Sequence, residues 1–176
     1  MRQVNRVTGL PKNPLIDFAE LEQLHDGAAS WALACCAYDI GEAEDVMQTS
    51  YLKIFDGSAR FAGDSSLRTW FFAVIRNVAR NHWRIRLRLS TRLPELPSEV
   101  EGPDRSAERD QRHKLVLSAL AGLPRRQRET LELVFYRDFT VAEAARIMGI
   151  STGSASRHFD RGKRALAKRL DKVVPE

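Results

Sequence analysis

The sequence predicts an all-α protein: two small helical domains joined by an acidic, proline-containing linker, the second ending in a helix-turn-helix. Three observations carry that prediction. Proline is missing between Pro14 and Pro94 and again between Pro124 and Pro175, which leaves two long blocks free to be helical. Apolar residues in both blocks recur at helical spacing, with no useful β-alternation and no internal repeat. Between them, residues 93–110 hold Pro94, Pro97 and Pro103, with six acids (Glu95, Glu99, Glu101, Asp104, Glu108, Asp110) against Arg105 and Arg109, a net of −4. That stretch is too poor in periodic apolar residues to pack, so it is expected to be an extended linker. The expected division is a tail over 1–14, a first domain over 15–92, the linker over 93–110, a second domain over 111–172 and a tail over 173–176. Each domain would bury a small core and be marginally stable alone.

In the first block, Ala28 to Ala37 is an Ala-rich helical run containing Cys35 and Cys36. Adjacent cysteines make neither a disulfide framework nor a metal-ligand spacing, so they are expected to be small buried fillers in a reduced compartment. Ala43 to Phe55 is a second helix, with Ala43, Met47, Tyr51 and Ile54 on one face and Asp45, Gln48, Leu52 and Phe55 on an adjacent one. The glycine-containing segment Asp56 to Ser66 is a loop, whose Asp64 or Ser65 is placed to cap the next helix. That helix runs from Leu67 to about Leu89. Leu67, Trp70, Phe71, Val74, Ile75 and Val78 fall within an arc of roughly 140°, a core stripe. Arg76, Arg80 and Arg84 repeat on the opposite side, and Arg76 to Arg92 includes six arginines and no acid. Solvated faces usually mix signs to gain i,i+4 pairs, so an unpaired arginine row suits a polyanion such as nucleic acid.

The second block opens with a helix over Arg112 to Leu123, ended by the Leu123-Pro124 step, followed by another over Arg125 to Tyr136. Thr140 and Glu143 have capping-box spacing at the start of a short helix through Met148. Gly149 suits the left-handed stop, Ile150 plugs the turn, and Ser151 or Thr152 caps the last helix. A short helix, a glycine turn, an apolar plug and a second amphipathic helix are the grammar of a helix-turn-helix. On the last helix Ala155, Phe159, Gly162 and Leu166 face inward, while Ser156, Arg157, Asp160, Arg161, Lys163 and Arg164 face outward. Seven bases against two acids between Thr152 and Lys172 make that outward face a DNA-reading surface.

Other chemistries are missing from the pattern. The 176 residues carry a formal charge of +5, but no phosphate loop, dinucleotide fingerprint, nucleophile elbow or zinc-protease motif. The four histidines are scattered, and Glu42, Glu44 and Asp45 suit an acidic helix start better than a catalytic pair. No enzyme, cofactor or metal is expected. Without an apolar run of about 18–20 residues or a signal-peptide core in Met1 to Asn13, the expected location is the cytoplasm, with no membrane insertion.

Three motifs then carry a family resemblance over roughly residues 15–172. Ala43-Glu-Asp-Val-Met-Gln-Thr-Ser-Tyr-Leu-Lys-Ile-Phe55 resembles the polymerase-binding helix of extracytoplasmic-function (ECF) sigma factors. Phe61-Ala-Gly-Asp-Ser-Ser-Leu-Arg-Thr-Trp70, continued by Arg76-Asn-Val-Ala-Arg-Asn-His-Trp83, resembles their minus-ten reading and melting segment. Leu123-Pro-Arg-Arg-Gln-Arg128 with Phe139 to Leu166 resembles their minus-35 domain.

The resemblance implies that Asp45, Gln48, Leu52 and Phe55 contact the clamp coiled coil of core RNA polymerase. It implies that Phe61 and Asp64, with Asn77 and Asn81, line a pocket for a base flipped from single-stranded minus-ten DNA, where an extruded base needs a stacking surface and polar edges. Trp70 is expected in the core rather than as a stacking platform. Arg76, Arg80 and Arg84 would hold phosphates. The second domain would sit on the polymerase flap, with Ser156, Arg157 and Asp160 at base edges of duplex minus-35 DNA and Arg161, Lys163 and Arg164 on phosphates. The linker would run through the RNA-exit path, and an anti-sigma factor is an implied partner.

The last helix departs from the family pattern. Ser156 stands where a base is common, Asp160 puts an acid on the reading face, and Gly162 replaces a usual Ala, at an expected helix cost of roughly 0.5–1 kcal/mol. Asp160 could accept from a cytosine amino group or pair with Arg157 or Arg164. Two rival readings are a stand-alone helix-turn-helix regulator, which leaves the Asp45/Gln48/Phe55 face unused, and an interaction protein that blocks polymerase.

Overall fold

The structure is a computed structural model that describes residues 13, 15–89 and 107–171. Residues 93–106 of the expected linker and most of both tails lie outside the described residues. Every regular element described is helical.

Asp17 caps α1 (Phe18–Gln23) by accepting from the Ala19 amide, and α2 (His25–Cys35) follows after Leu24. Ala37 and Tyr38 then take left-handed backbone conformations, turning the chain into α3 (Ile40–Phe55). Asp39 caps α3 by accepting from the Glu42 amide at 2.9 Å. The cap of α4 (Leu67–Leu89) is Ser66, whose Oγ accepts from the Thr69 amide at 3.2 Å, rather than Asp64 or Ser65. Only a side chain at the residue just before the first turn reaches that amide.

In the second half, α5 (Ala107–Ala121) starts inside the stretch expected to be linker. Once Pro103 is passed, Ala, Glu, Arg and Gln are strong helix formers, and nothing stops the helix extending back to Ala107. Helix α6 (Arg125–Leu131) ends earlier than expected and continues as a π-helical turn over Glu132–Tyr136. Across this change Leu131 packs with Leu120, Leu123 and Phe159, while Leu133 joins the core around α4. The capping box of α7 (Val141–Met148) is complete, with Thr140 Oγ1 accepting from the Glu143 amide and Glu143 Oε2 accepting from the Thr140 amide at 2.8 Å. Gly149 stops α7 at φ 61°, and Ser151 caps α8 (Thr152–Leu170).

Helices α2, α3 and α4 pack on one another around Trp31, Phe71, Phe72 and Ile75, all buried. Trp31 Nε1 donates to the Phe72 carbonyl at 3.0 Å, satisfying the one polar group of that ring. Two separate small cores were the expectation. Instead Leu133, Phe139, Ala144, Ile147 and Met148 of the second half belong to the same cluster as the first half, and Phe139 meets the Phe72 ring edge-on at 5.0 Å. Helix α4 therefore buries Leu67, Phe71, Ile75 and Val78 of its expected stripe, leaves Trp70 and Val74 half-buried, and is buried also along a flank, Phe72, Arg76 and Ala79.

Gly162 has a packing role that its helix propensity hides. A Cβ there would stand 3.1 Å from Leu131 Cγ and Cδ1 and 3.2 Å from the Gln127 carbonyl oxygen, so α8 approaches α6 as closely as a glycine allows. Gly162→Ala gains about 0.5–1 kcal/mol of helix propensity. Overpacking against a backbone carbonyl costs about 1–3 kcal/mol. The expected net is a destabilisation of roughly 1 kcal/mol, read as a lower urea midpoint with an unchanged m-value. A raised midpoint would refute the packing account.

Candidate functional site

Helix α3 sorts its residues by the period of 3.6. Ala43, Met47 and Ile54 are buried and Tyr51 is half-buried, while Asp45, Gln48, Leu52 and Phe55 are all exposed on one face. Leu52 is 65% exposed and Phe55 41%, and with Phe18 at 37% they form an exposed apolar patch among acid and amide neighbours. Phe55 is also held: Phe18 of α1 stacks on it at 5.7 Å, nearly parallel, and Tyr51 stacks at 6.2 Å from behind. His25 Nδ1 bonds the Tyr51 hydroxyl at 2.9 Å. Phe18, Leu21, Glu22, His25, Tyr51 and Phe55 line an open groove of about 700 Å³ beside the face. Sequence reasoning missed Phe18, since α1 has only six residues and shows no period, and it placed Tyr51 on the core stripe of α3, whereas Tyr51 is half-buried and bonds His25 at the edge of this surface.

The loop before α4 rests on Trp70. That half-buried indole donates through Nε1 to the Arg60 carbonyl at 3.1 Å, and Phe61 tilts onto it at 5.3 Å. Phe61 is half-buried and Asp64 exposed, and Gly63 turns the loop at φ 81°. Along α4, Asn77, Asn81, Arg80 and Arg84 are exposed. Arg76 does not join that row. It is 3% exposed, with Nε and Nη2 each 2.9 Å from Glu129 Oε2 and Nη1 donating to the Met148 carbonyl at 2.7 Å. Each four-residue step advances about 40° around a helix, which carries Arg76 into the flank facing α7 and rotates Arg80 and Arg84 out to solvent.

On α8, Arg157, Asp160, Arg161, Lys163 and Arg164 are exposed and Ser156 is half-buried. Asp160 pairs with neither Arg157 nor Arg164 through its carboxylate. It sits 3.4 Å from Lys163 Nζ, while Arg157 reaches the Ser154 hydroxyl at 3.3 Å and Arg164 Nε donates to the Asp160 backbone carbonyl at 3.2 Å. Lys163 also lies over the Phe159 ring at 4.6 Å. Partial burial, then the guanidinium groups of Arg126, Arg161 and Arg157, hold the His158 pKa below its ordinary value. Three guanidinium groups thus surround one imidazole on this face, a cluster of positive charge that suits a phosphate backbone.

Two sigma-70 family models match the chain, region 2 over residues 21–88 and region 4 over residues 113–166. The ECF RNA polymerase sigma factor SigC of Mycobacterium tuberculosis is 31% identical over 77% of this chain and 74% of its own length. SigF of Caulobacter vibrioides, also an ECF RNA polymerase sigma factor, is 31% identical over 74% of this chain and 72% of its own. The chain belongs to the ECF sigma factors of the sigma-70 family. Among solved structures, the sigma factor RpoE of Bartonella quintana, in complex with the anti-sigma factor NepR, matches the fold with a TM-score of 0.76 at 24% identity, over 88% of this chain and 96% of that one. CnrH, in complex with the cytosolic domain of CnrY, matches at 0.62 and 21% identity over 88% of each chain.

In this sigma factor the α3 face, the loop, Arg80 and Arg84 all fall in the region 2 match, and the α8 face falls in the region 4 match. Between the two runs a polar seam. Arg128 Nε donates to the Ala34 carbonyl at 3.0 Å, and Arg146 Nη1 donates to the Asp64 carbonyl at 2.7 Å. Arg68 donates to the Arg137 carbonyl and lies over the Phe139 ring at 4.1 Å. Tyr38 donates to Glu132 Oε1. Burial raises the Glu132 pKa above the ordinary carboxylate value, although the Tyr38 hydrogen bond and then Arg137 and Arg128 oppose the rise.

A raised native pKa means stability that is present below the unfolded carboxylate pKa and lost as pH rises through the native one. Glu132→Gln keeps an acceptor for Tyr38 and removes the buried charge. It is expected to raise the thermal midpoint modestly at pH 7, with the gain vanishing as pH falls past the Glu132 titration. A gain that persisted at low pH would refute the charge account.

Cys35 and Cys36 are half-buried in this arrangement, and burial pushes the Cys36 thiol up to about 12 and the Cys35 thiol well above its ordinary value. Both thiols stay protonated, so neither is a good nucleophile. Among the described residues no group of three His, Cys, Asp or Glu side chains is placed to hold a metal ion, and no helix is long and apolar enough to cross a membrane.

Proposed function

We propose that this sigma factor directs core RNA polymerase to specific promoters through three separate surfaces, acting in the cytoplasm and catalysing no reaction itself. Asp45, Gln48, Leu52 and Phe55 bind the clamp coiled coil, with the Phe18-Tyr51 groove beside them. Phe61, Asp64, Asn77 and Asn81 take a flipped minus-ten base, while Arg80 and Arg84, joined by Arg76 once it is free, hold single-stranded phosphates. Ser156, Arg157 and Asp160 read minus-35 base edges from the major groove, with Arg161, Lys163 and Arg164 on phosphates and the second domain on the polymerase flap. Asp160, engaged with Lys163, accepts from a cytosine amino group only when that pair parts.

The observation that carries the reading is the α3 face. A held, exposed Phe55 beside Leu52 and Gln48 has no use in a DNA-only regulator and suits a helical protein partner. The complex of RpoE with the anti-sigma factor NepR, and that of CnrH with the cytosolic domain of CnrY, support a protein partner of the anti-sigma kind here. Tethering two modest DNA-binding domains on one polymerase would supply the affinity that each lacks alone.

Run-off transcription over sheared genomic DNA with purified core polymerase tests the proposal. New RNA 5′ ends are expected only when the protein is added, sharing two upstream motifs at fixed spacing. Active core that yields no new starts, while the protein still binds duplex DNA, would replace initiation with the stand-alone regulator.

A further inference from the structure

Helices α4, α6 and α8 meet around the Arg76–Glu129 pair, and the arginines beyond that pair are exposed. Arg80 and Arg84 follow Arg76 along α4, Arg126 stands on α6, and Arg157 and Arg161 stand on α8. Two close approaches fix the three helices there. The Arg125 guanidinium lies 5.5 Å from the Trp83 ring, which sets the start of α6 beside the second half of α4. A Cβ on Gly162 would stand 3.2 Å from the Gln127 carbonyl oxygen, which sets α8 against the residue after Arg126. His158 lies at the join. After its partial burial, the charge that acts on it most is Arg126 of α6, ahead of Arg161 and Arg157 of its own helix, and Glu129 acts on it as well.

The acids near this surface are already engaged. Glu129 pairs with Arg76 and Arg125, Glu42 with Arg86, and Asp160 with Lys163 on the other edge of α8. Among the described residues, no carboxylate pairs with Arg80, Arg84, Arg126, Arg157 or Arg161. Trp83 is 52% exposed beside them. A row of cations that no internal anion occupies, with an open aromatic ring next to it, has the two parts of a single-strand site: charges that follow the phosphates and a surface on which any base can stack. A duplex keeps its bases stacked on one another and would leave the indole without a partner.

We propose that a single nucleic-acid strand binds across the junction of the two halves, its phosphates on Arg80, Arg84, Arg126, Arg157 and Arg161 and one base on Trp83. The proposal rests on reading the α4 and α8 arginines as nucleic-acid contacts, but Trp83, Arg126 and the bridge between the halves belong to neither promoter surface described above. A strand gripped from both halves gains affinity that neither half supplies alone. Because it needs both halves in place, it stabilises their packing rather than undoing it. Arg80, Arg84, Arg157 and Arg161 then serve twice, on a strand in the free factor and on promoter DNA when the factor is on polymerase.

Fluorescence anisotropy of labelled 12-nucleotide oligo(U) and oligo(dT), titrated with the full chain over a range of salt, tests the proposal. One strand per protein is expected, with a log–log salt slope of about −3.5 for the five phosphates and a higher thermal midpoint when the strand is bound. Arg126→Gln is expected to flatten the slope by about 0.7. Trp83→Leu should weaken binding about tenfold with the slope kept, as one stacked base is lost. Similar affinity for both oligonucleotides supports the shared phosphate and stacking chemistry, and a preference for one names the strand. Two strands per protein would overturn the bridge, and affinity and slope unchanged in both variants would overturn the site. Should Trp83→Leu lose its helical circular dichroism, Arg126→Gln decides, since that side chain is exposed. Run-off transcription separates this proposal from the initiation reading. Transcription by a protein whose strand binding ignores both variants sinks the strand site alone, and strand binding that responds to them without transcription sinks initiation alone.

Discussion

Gln48→Ala combined with Phe55→Ala is expected to weaken binding to core RNA polymerase by about 100-fold or more, with the fold intact. Both side chains are exposed on α3, away from the buried Ala43, Met47 and Ile54, so loss of Gln48 should move stability by no more than about 0.5 kcal/mol and loss of Phe55 by about 0.5–1.5 kcal/mol for each ring pair broken, with the helices retained. The size of the binding effect follows from how Phe55 is held. Stacked against Phe18 and Tyr51, its ring is already placed, and little rotamer entropy is lost when a partner covers it. Anisotropy of labelled protein titrated with core polymerase measures the loss, while single-stranded DNA binding by the same protein should stay at the wild-type value. Equal loss of both would mean unfolding and would remove the α3 face from its assigned role.

Arg128→Ala should cost about 3 kcal/mol of stability, although no carboxylate among the described residues forms an ion pair with it. Its Nε donates to the Ala34 carbonyl at 3.0 Å, and its Nη1 donates to the Ala121 carbonyl at 2.9 Å and, more loosely, to the Leu123 carbonyl at 3.4 Å. Ala34 lies in the last turn of α2 and Ala121 ends α5, positions whose carbonyls lack helical partners and carry the negative end of the dipole. One buried guanidinium thus caps two helices from different halves of the chain. Truncation strands these acceptors and leaves a cavity. At this chain length the thermal midpoint should fall by roughly 6–12 °C. Arg128→Lys should recover only part of it, since an ammonium on one stem cannot span the fork. An unchanged midpoint in Arg128→Ala would refute the double-cap account.

The fold was largely legible where it is local. The capping box of Thr140 and Glu143, the left-handed Gly149 and the sorting of α3 into buried and exposed faces all depend on residues within one or two helical turns. The readings that changed share a different origin. Arg76 was legible as a base on a basic face, but its partner Glu129 lies 53 residues away. Gly162 looked like a weak point because propensity is counted along a helix, whereas its use depends on how closely Leu131 approaches from another one. The start of α5 at Ala107 was hidden by the acidic composition of the stretch before it, which argued for a linker.

Periodicity, capping residues and charge composition sufficed to specify an all-helical chain with an exposed mixed polar and apolar face on α3 and two basic faces, because those properties belong to single helices. Whether each basic side chain stays free, and whether the two halves keep separate cores, was settled only when α4 met α6 and α7. The physical reason is the range of the forces. Backbone hydrogen bonding and amphipathic spacing act over a few residues. A buried ion pair, a shared apolar seam and a helix contact at glycine distance require groups far apart in sequence to arrive at one place, and nothing in the order of residues alone records that meeting.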